Sequence, residues 1–200
     1  IESNILLPLK ILDLFKKYSP IFITFDTFYT KFKTSPLINY VLSKNQINEW
    51  YSKYFNVTIL NVKLEHVYGK YDNISKFIPW LMNELKMNNT IELTECKQKR
   101  DFIYALDVVS FIEEVIIKRK KFTKKLNHIE LGTGNSLEIK KIVLILKNLI
   151  KSDSKILFKN KVDSNEIMDS FANRKTIPSF IKWKPCVNVN DGLKKLVNLH

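Results

Sequence analysis

Short apolar runs along the chain alternate with stretches in which apolar residues recur every three or four positions. Residues 4–18 carry Leu6, Leu9, Leu12 and Phe15 at helical spacing, flanked by Ile5 and Ile11. Pro20 stops that pattern. Ile21-Phe22-Ile23-Thr24-Phe25 is then an apolar run of strand length, suited to a parallel sheet covered on both faces. After a loop over 31–36, residues 38–54 return to helical spacing through Val41, Leu42, Ile47, Trp50 and Tyr51, and a second strand is expected at 57–64. Beyond Gly69 a polar loop leads to a short helix over 77–82 with Pro79 near its start. Small strands are expected at 91–93 and 102–104, and Asp107 is the expected N-cap of a helix over 108–117. Ile129-Glu130-Leu131 ahead of Gly132-Thr133-Gly134 reads as a strand and turn. Ser136-Leu137-Glu138 opens the clearest helix, whose stripe is Ile139, Ile142, Val143, Leu146 and Ile150. A polar stretch at Asp163-Ser164-Asn165, a turn at Trp183-Lys184-Pro185 and an amphipathic helix over 190–199 complete the chain.

Strands alternating with helices predict an α/β fold with a mainly parallel sheet. With 45% hydrophobic residues among 200, the chain has material for one ordinary core. Cys96 and Cys186 are far apart and lack metal-type spacing, and His128 and His200 have no ligand at such spacing, so reduced thiols in a cytoplasmic protein without metal are expected. No apolar run approaches the ~18 residues of a membrane span, so no membrane partner is expected. The net charge of +13 invites a nucleic-acid reading. Only three of the 33 basic residues are arginine, however, and base contacts favour the guanidinium fork. The densest cluster, Lys118-Arg119-Lys120-Lys121 with Lys124-Lys125, falls where a helix pattern ends and cations favour the helix dipole, so nucleic acid is not expected as a partner.

One local feature carries chemistry. Tyr40 and Lys44 stand four apart near a helix start, hence on one face. A phenol with a pKa of ~10 is a poor acid or base at neutral pH, but a nearby ammonium favours the phenolate and brings it toward the working range. Taken alone, the pair is better read as an aromatic ring packed beside a lysine stem.

The neighbouring segments resemble, in order and spacing, the extended short-chain dehydrogenase/reductase family over nearly the whole chain. Asn4-Ile5-Leu6-Leu7-Pro8-Leu9 with Ile11-Leu12 is similar to that family's helix before the catalytic strand. Phe22-Ile23-Thr24-Phe25-Asp26-Thr27-Phe28-Tyr29 is similar to the strand bearing its catalytic hydroxyl, and Tyr40 with Lys44 matches its active-site pair. Val62-Lys63-Leu64-Glu65-His66-Val67-Tyr68-Gly69 resembles the strand and turn that follow. The most specific match is Gln98-Lys99-Arg100-Asp101-Phe102-Ile103-Tyr104 with Asp107-Val108-Val109, which resembles the substrate-domain signature. Leu131-Gly132-Thr133-Gly134 and Trp183-Lys184-Pro185 with Gly192-Leu193 are similar to its closing motifs. Asp26-Thr27-Phe28-Tyr29 and Leu64-Glu65-His66-Val67-Tyr68-Gly69 look most like reductases of cytidine-diphosphate 4-keto-6-deoxy sugars, the abequose or paratose synthase type.

The resemblance implies a Rossmann-like remainder over 1–68 and a mainly α+β sugar-nucleotide domain over 69–200, with 91–131 and parts of the tail interleaving with the sheet. It implies an NAD(P)-dependent reductase, epimerase or dehydratase of nucleotide sugars. Tyr40 would be the acid/base, while Lys44 would hold the nicotinamide ribose of NAD or NADP and depress the phenol pKa. Arg100 would grip the diphosphate, and Lys76 with Phe77 would hold base and ribose. His66 stands where the family usually has asparagine near the phosphates; a hydrogen-bonded loop histidine is an equal reading. The resemblance also implies a homodimer built from helices 4–18 and 38–54, whose Leu7, Ile11, Leu14, Leu42, Ile47, Trp50 and Tyr54 spread apolar surface around both cylinders.

Three departures bear on activity. The catalytic hydroxyl position falls on Phe25, leaving Thr27 or Thr24 as substitutes, although neighbours on a strand face opposite sides. Asp163-Ser164-Asn165-Glu166 replaces a family segment that normally begins with arginine. None of Gly69, Gly132, Gly134 and Gly192 lies in the glycine-rich turn that meets a dinucleotide pyrophosphate. The expectation is therefore a truncated, weakly active or inactive enzyme; the alternative is a non-catalytic nucleotide-sugar-binding or dimerisation module.

Overall fold

A computed structural model describes residues 1–18, 21–33, 37–54, 57–160 and 166–199. Pro20, the end of the 31–36 loop, the polar stretch at 163–165 and His200 lie outside the described residues. The first half runs α1 (Leu7–Phe15), β1 (Ile21–Thr27), α2 (Ile38–Tyr51), β2 (Thr58–Leu64), β3 (His66–Tyr68), α3 (Phe77–Lys86), β4 (Ile91–Thr94), β5 (Lys99–Arg100) and β6 (Phe102–Tyr104). The second runs α4 (Ala105–Ile117), β7 (Leu126–Leu131), β8 (Leu137–Glu138), α5 (Ile139–Ile150), β9 (Ile156–Lys159), β10 (Asp169–Ser170) and α6 (Val189–Leu199).

The main sheet has the order β1-β2-β7, all parallel, with Phe25 beside Val62 and Val62 beside Ile129. Its central strand alternates as a doubly covered strand must. Ile59 packs with Leu12, Ile47 and Tyr51 of α1 and α2, whereas Leu60 and Val62 pack with Phe111 and Val115 of α4. The α/β architecture with a mainly parallel sheet is therefore present, completed by small pairings: β3 with β6, β4 with β9, and β5 between β10 and β8. A further cluster joins α3, α5 and α6 through Leu81, Leu85, Ile142, Leu146 and Leu193. Burying each of these side chains is worth about 1.5–3 kcal/mol.

Several boundaries differ from the sequence reading. Asp107 does not cap a helix. The helix starts earlier, at Ala105, with Tyr104 extended before it, and the buried Asp107 carboxylate accepts from the backbone of Cys186 and Val187, both at 3.0 Å. Leu137 and Glu138 are strand, not helix, because β8 pairs antiparallel with β5; α5 begins at Ile139. Residues 4–18 divide into a π turn (Glu2–Leu6), α1 and a 3-10 turn (Lys16–Tyr18), and the second helix ends at Tyr51. Of the apolar residues spread around these helices, Ile47 belongs to the core and the Tyr54 hydroxyl reaches Asp13, whereas Leu7, Leu14, Leu42 and Trp50 are exposed. Both cysteines are free, and no helix among the described residues is long and apolar enough to cross a membrane. The basic cluster does follow a helix end: Arg119 donates to the Ile116 carbonyl at 3.1 Å.

Candidate functional site

In open α/β sheets the backbone turns away beyond the carboxyl ends of the strands and leaves a crevice there. Here that crevice is a cavity of about 550 Å³ whose lining includes Thr27, Tyr40, His66, Lys76 and Phe77. An adjoining cavity of about 400 Å³ shares His66, Phe77 and Phe102 with it and adds Gln98, Cys96 and Arg100. Six of the seven residues singled out from the sequence thus face two connected spaces. Lys44 lines neither.

Tyr40 lies at the start of α2, with Lys44 one turn on; the ammonium stands 5.8 Å from the Tyr40 ring centroid and donates to the Phe25 carbonyl at 2.8 Å. The expected depression of the phenol is not found. Burial, followed by the Asp26 carboxylate, raises the Tyr40 pKa, and burial lowers that of Lys44 while Asp26 opposes the change. The reason is that the Lys44 ammonium is committed to a backbone carbonyl, so desolvation of the phenol prevails.

Thr27 is buried at the end of β1, where its hydroxyl caps the 3-10 turn Phe28–Lys31 by accepting from Tyr29 N at 3.4 Å. Thr24 is turned to α2, its hydroxyl 3.2 Å from that of Tyr51. Phe25 is 44% exposed and bears no hydroxyl. Of the two threonines, Thr27 alone shares the Tyr40 cavity.

His66 sits between the rings of Phe28 and Phe102, at centroid distances of 4.3 and 5.6 Å. Its Nδ1 is buried without a hydrogen-bond partner; Glu65 Oε2 is 3.9 Å away, beyond hydrogen-bond range. Burial first, then the positive charges of Arg100, Lys31 and Lys76, push its pKa down to about 3, so the ring is neutral at physiological pH. Lys76 immediately precedes α3 and pairs with Asp72 at 2.7 Å. Phe77 packs near Trp80, with ring centroids 6.2 Å apart.

Arg100 is mostly buried on β5. It donates to the Lys99 carbonyl at 2.8 Å and stands 3.8 Å from Glu166, which also accepts from Gln98 at 2.7 Å. Its strand is held by the neighbouring Asp101, fully buried, whose carboxylate accepts from Thr133 N and Oγ1, Gly134 N and Ala172 N. Gly132 makes this possible, since a Cβ there would run into Asp101 and Ala172. Beneath the crevice, buried Glu65 pairs with Lys31 and accepts from Ser170 at 2.8 Å, and Lys31 also reaches Glu130 and the Phe171 carbonyl. Burial raises the Glu65 carboxyl despite Lys31.

The buried acids Asp26, Glu65 and Asp101 were not singled out from the sequence. A signal existed: each borders an apolar strand, where an acid is buried only if its oxygens are satisfied. Among the described residues no group of three His, Cys, Asp or Glu is arranged to hold a metal ion.

The chain is similar to known proteins over most of its length. The NAD dependent epimerase/dehydratase family matches residues 1–132. CDP-abequose synthase of Salmonella muenchen is 32% identical over 206 residues, an alignment covering 99% of this chain and 69% of that protein. A putative UDP-glucose 4-epimerase of Methanocaldococcus jannaschii is 25% identical over 174 residues, covering 82% of this chain and 53% of that protein. Among solved structures, UDP-glucuronic acid 4-epimerase of Bacillus cereus, in complex with UDP-glucuronic acid and NAD, superposes with a TM-score of 0.84 at 20% identity, covering 98% of this chain and 66% of that one.

Proposed function

Because the chain belongs to the NAD dependent epimerase/dehydratase family, we propose that it binds a nucleoside-diphosphate sugar along the two connected cavities and exchanges a proton with the sugar at Tyr40. The observation that carries this reading is the convergence of Thr27, Tyr40, His66, Lys76 and Phe77 on one crevice that opens into the Arg100 cavity. The two spaces together have the size of a ligand with a sugar at one end and a base at the other.

In this reading the sugar lies beside Tyr40 and Thr27, the diphosphate meets Arg100 and neutral His66, and the base and ribose lie against Phe77 and Lys76. The relative named CDP-abequose synthase favours a cytidine diphosphate sugar, and the resemblance to reductases of such 4-keto-6-deoxy sugars favours reduction of a keto group over epimerisation or dehydration. Tyr40, held as the protonated phenol, is suited to donate to a carbonyl oxygen that gains charge, and the Thr27 hydroxyl to bond that oxygen. Lys44 and Tyr40 would hold the ribose end of a nicotinamide dinucleotide, NAD by the family's description and NADP as the alternative. When bound, the nicotinamide supplies the hydride.

Calorimetric titration with CDP, a CDP-sugar and NADH in turn tests the proposal, followed by turnover of a CDP-4-keto-6-deoxy sugar. CDP and the CDP-sugar are expected to bind, with turnover abolished in Tyr40→Phe; absence of any nucleotide binding at millimolar concentration would overturn it. Phe25 favours a second reading, a non-catalytic nucleotide-sugar-binding or dimerisation module, because a phenyl ring stands where the family carries its hydroxyl. Equal binding by the parent and Tyr40→Phe, with no turnover by either, would select it.

The proposal includes a homodimer through α1 and α2. Leu14, Leu42 and Trp50 are 67%, 58% and 48% exposed, an apolar surface of the kind that partners cover. Light scattering should report a dimer that Leu14→Glu and Trp50→Glu dissociate, and a monomeric parent would remove this part. A cytoplasmic location completes the reading.

A further inference from the structure

None of the roles above uses Asp26, although it lines the same crevice as Tyr40. It is 5% exposed, and among the described residues its hydrogen-bond donors are neutral. Oδ1 accepts from Thr27 N at 2.7 Å; Oδ2 accepts from Thr30 Oγ1 at 3.2 Å, Asn48 Nδ2 at 3.0 Å and Asn61 Nδ2 at 3.2 Å. Asn61 also donates to Asn48 Oδ1 at 2.7 Å. One carboxylate therefore joins the end of β1, the turn after it, α2 and β2. Burying a charge is costly, and a purely structural joint could be made from amides with less desolvation.

The helical partner is informative. Tyr40, Lys44 and Asn48 follow one another at four-residue steps and so lie along one face of α2. The face that presents the Tyr-Lys pair is thus the face tied to Asp26. Two more ties act in parallel, Lys44 to the Phe25 carbonyl and Tyr51 to Thr24, so that three successive residues of β1 hold α2.

We propose that Asp26 is a positioning residue for the Tyr40–Lys44 pair, fixing its helix against the strand end that bears Thr27 and presenting its carboxylate beside it. Among the described residues no cation is in hydrogen-bond contact with the carboxylate, so its charge is met by neutral dipoles and its field reaches the pair. Both consequences run in one direction: the carboxylate disfavours the Tyr40 phenolate and favours the Lys44 ammonium, which keeps the phenol loaded with its proton. The other ionisable groups lining the crevice are Tyr29, Glu65, His66, Tyr68, Asp72 and Lys76. After burial, the Asp26 carboxylate is what raises the Tyr40 phenol.

The inference rests on the proposed proton transfer for its kinetic part but has a readout that needs no substrate. Tyrosine labelled with carbon-13 at Cζ, assigned by Tyr40→Phe, follows the Tyr40 titration by NMR. Asp26→Asn should lower the Tyr40 midpoint and reduce turnover about 10- to 100-fold, the scale of a small misplacement of a reacting group, with little change in KM. The exchanged pair Asp26→Asn with Asn48→Asp returns a carboxylate to the cluster and should recover both quantities; it also serves if the single variant does not fold. Asn48→Ala keeps the charge but cuts the tie, so turnover should fall while the Tyr40 midpoint holds. Parent turnover in Asn48→Ala, or an unmoved Tyr40 midpoint in Asp26→Asn, overturns the inference. If the parent turns over no nucleotide sugar, the proposed function fails, and the Tyr40 midpoint alone decides the role of Asp26.

Discussion

The charged groups of the crevice are held by two different means. Some are cations that meet acids: Arg100 faces Glu166 in one cavity, and around the Tyr40 cavity Lys31 pairs with Glu65 and Lys76 with Asp72. The two charged groups next to Tyr40 are held instead by neutral dipoles, Asp26 by two amides, a hydroxyl and a backbone N–H, and Lys44 by a carbonyl. A cation already facing a carboxylate must exchange it for the phosphates of a ligand, so part of the binding energy is spent on displacement. Charges held by dipoles need no such exchange and keep their geometry as a ligand arrives. The first arrangement suits reversible binding of a dianion, the second a fixed proton-transfer group.

The contrast depends on Asp101, which holds the Arg100 strand by dipoles. Asp101→Ala, which strands four donors in and around a buried site, should cost about 3 kcal/mol or more and lower Tm by roughly 10 °C in a thermal melt. A melt within a degree of the parent would show that the strand is held elsewhere. Arg100→Ala should weaken calorimetric binding of a CDP-sugar by about 1.5–3 kcal/mol, the scale of a charged hydrogen bond. Unchanged affinity would reduce the arginine to a partner of Glu166.

His66 sharpens the comparison through pH. Its folded pKa of about 3 lies below the unfolded value near 6.5, so between these values the unfolded chain binds more protons and stability rises with pH. The contribution is full above about pH 6.5 and is lost as pH falls toward 3, with a limiting slope of about 1.4 kcal/mol per unit. Glu65 has the opposite sign: its carboxyl is raised, so its contribution is present below the ordinary value of 4.5 and is lost as pH rises through the folded pKa. Urea unfolding between pH 7 and 5 should therefore show an acid loss in the parent that is smaller in His66→Asn. Equal slopes would mean that the imidazole is not desolvated. The smallest effect belongs to Glu166→Gln, which removes the acid facing Arg100 and should tighten CDP binding about two- to fivefold at low salt, the scale of a partly exposed pair. Weaker binding would reverse the assignment of Glu166 as a competitor.

The legible parts of the site were those whose signal is local. Tyr40 and Lys44 are one helical turn apart, and Gln98-Lys99-Arg100-Asp101 is a continuous string, so spacing and resemblance sufficed to single them out. The acids were not legible in this way. Whether Asp107 caps its helix or receives backbone donors from Cys186 and Val187 depends on a segment about eighty residues away along the chain. The stripe of α5 named its buried face correctly because one contiguous core covers it, whereas α2 has apolar residues on several sides and its periodicity did not separate buried Ile47 from exposed Leu42.

By itself, then, the sequence determined the alternation of strands and helices, the parallel α/β class, the family resemblance and the inventory of reactive groups. These follow from periodicity and short-range steric preferences that act within a few residues. Only the tertiary structure decided that the Lys44 ammonium lies on a carbonyl and leaves the Tyr40 phenol raised, that Thr27 shares the Tyr40 crevice while Thr24 does not, and which acids are buried. The physical reason is that burial and pairing are set by partners distant in sequence: Ala172 donates to Asp101 from 71 residues away and Ser170 to Glu65 from 105. Chain topology brings those partners together, and no local pattern encodes them.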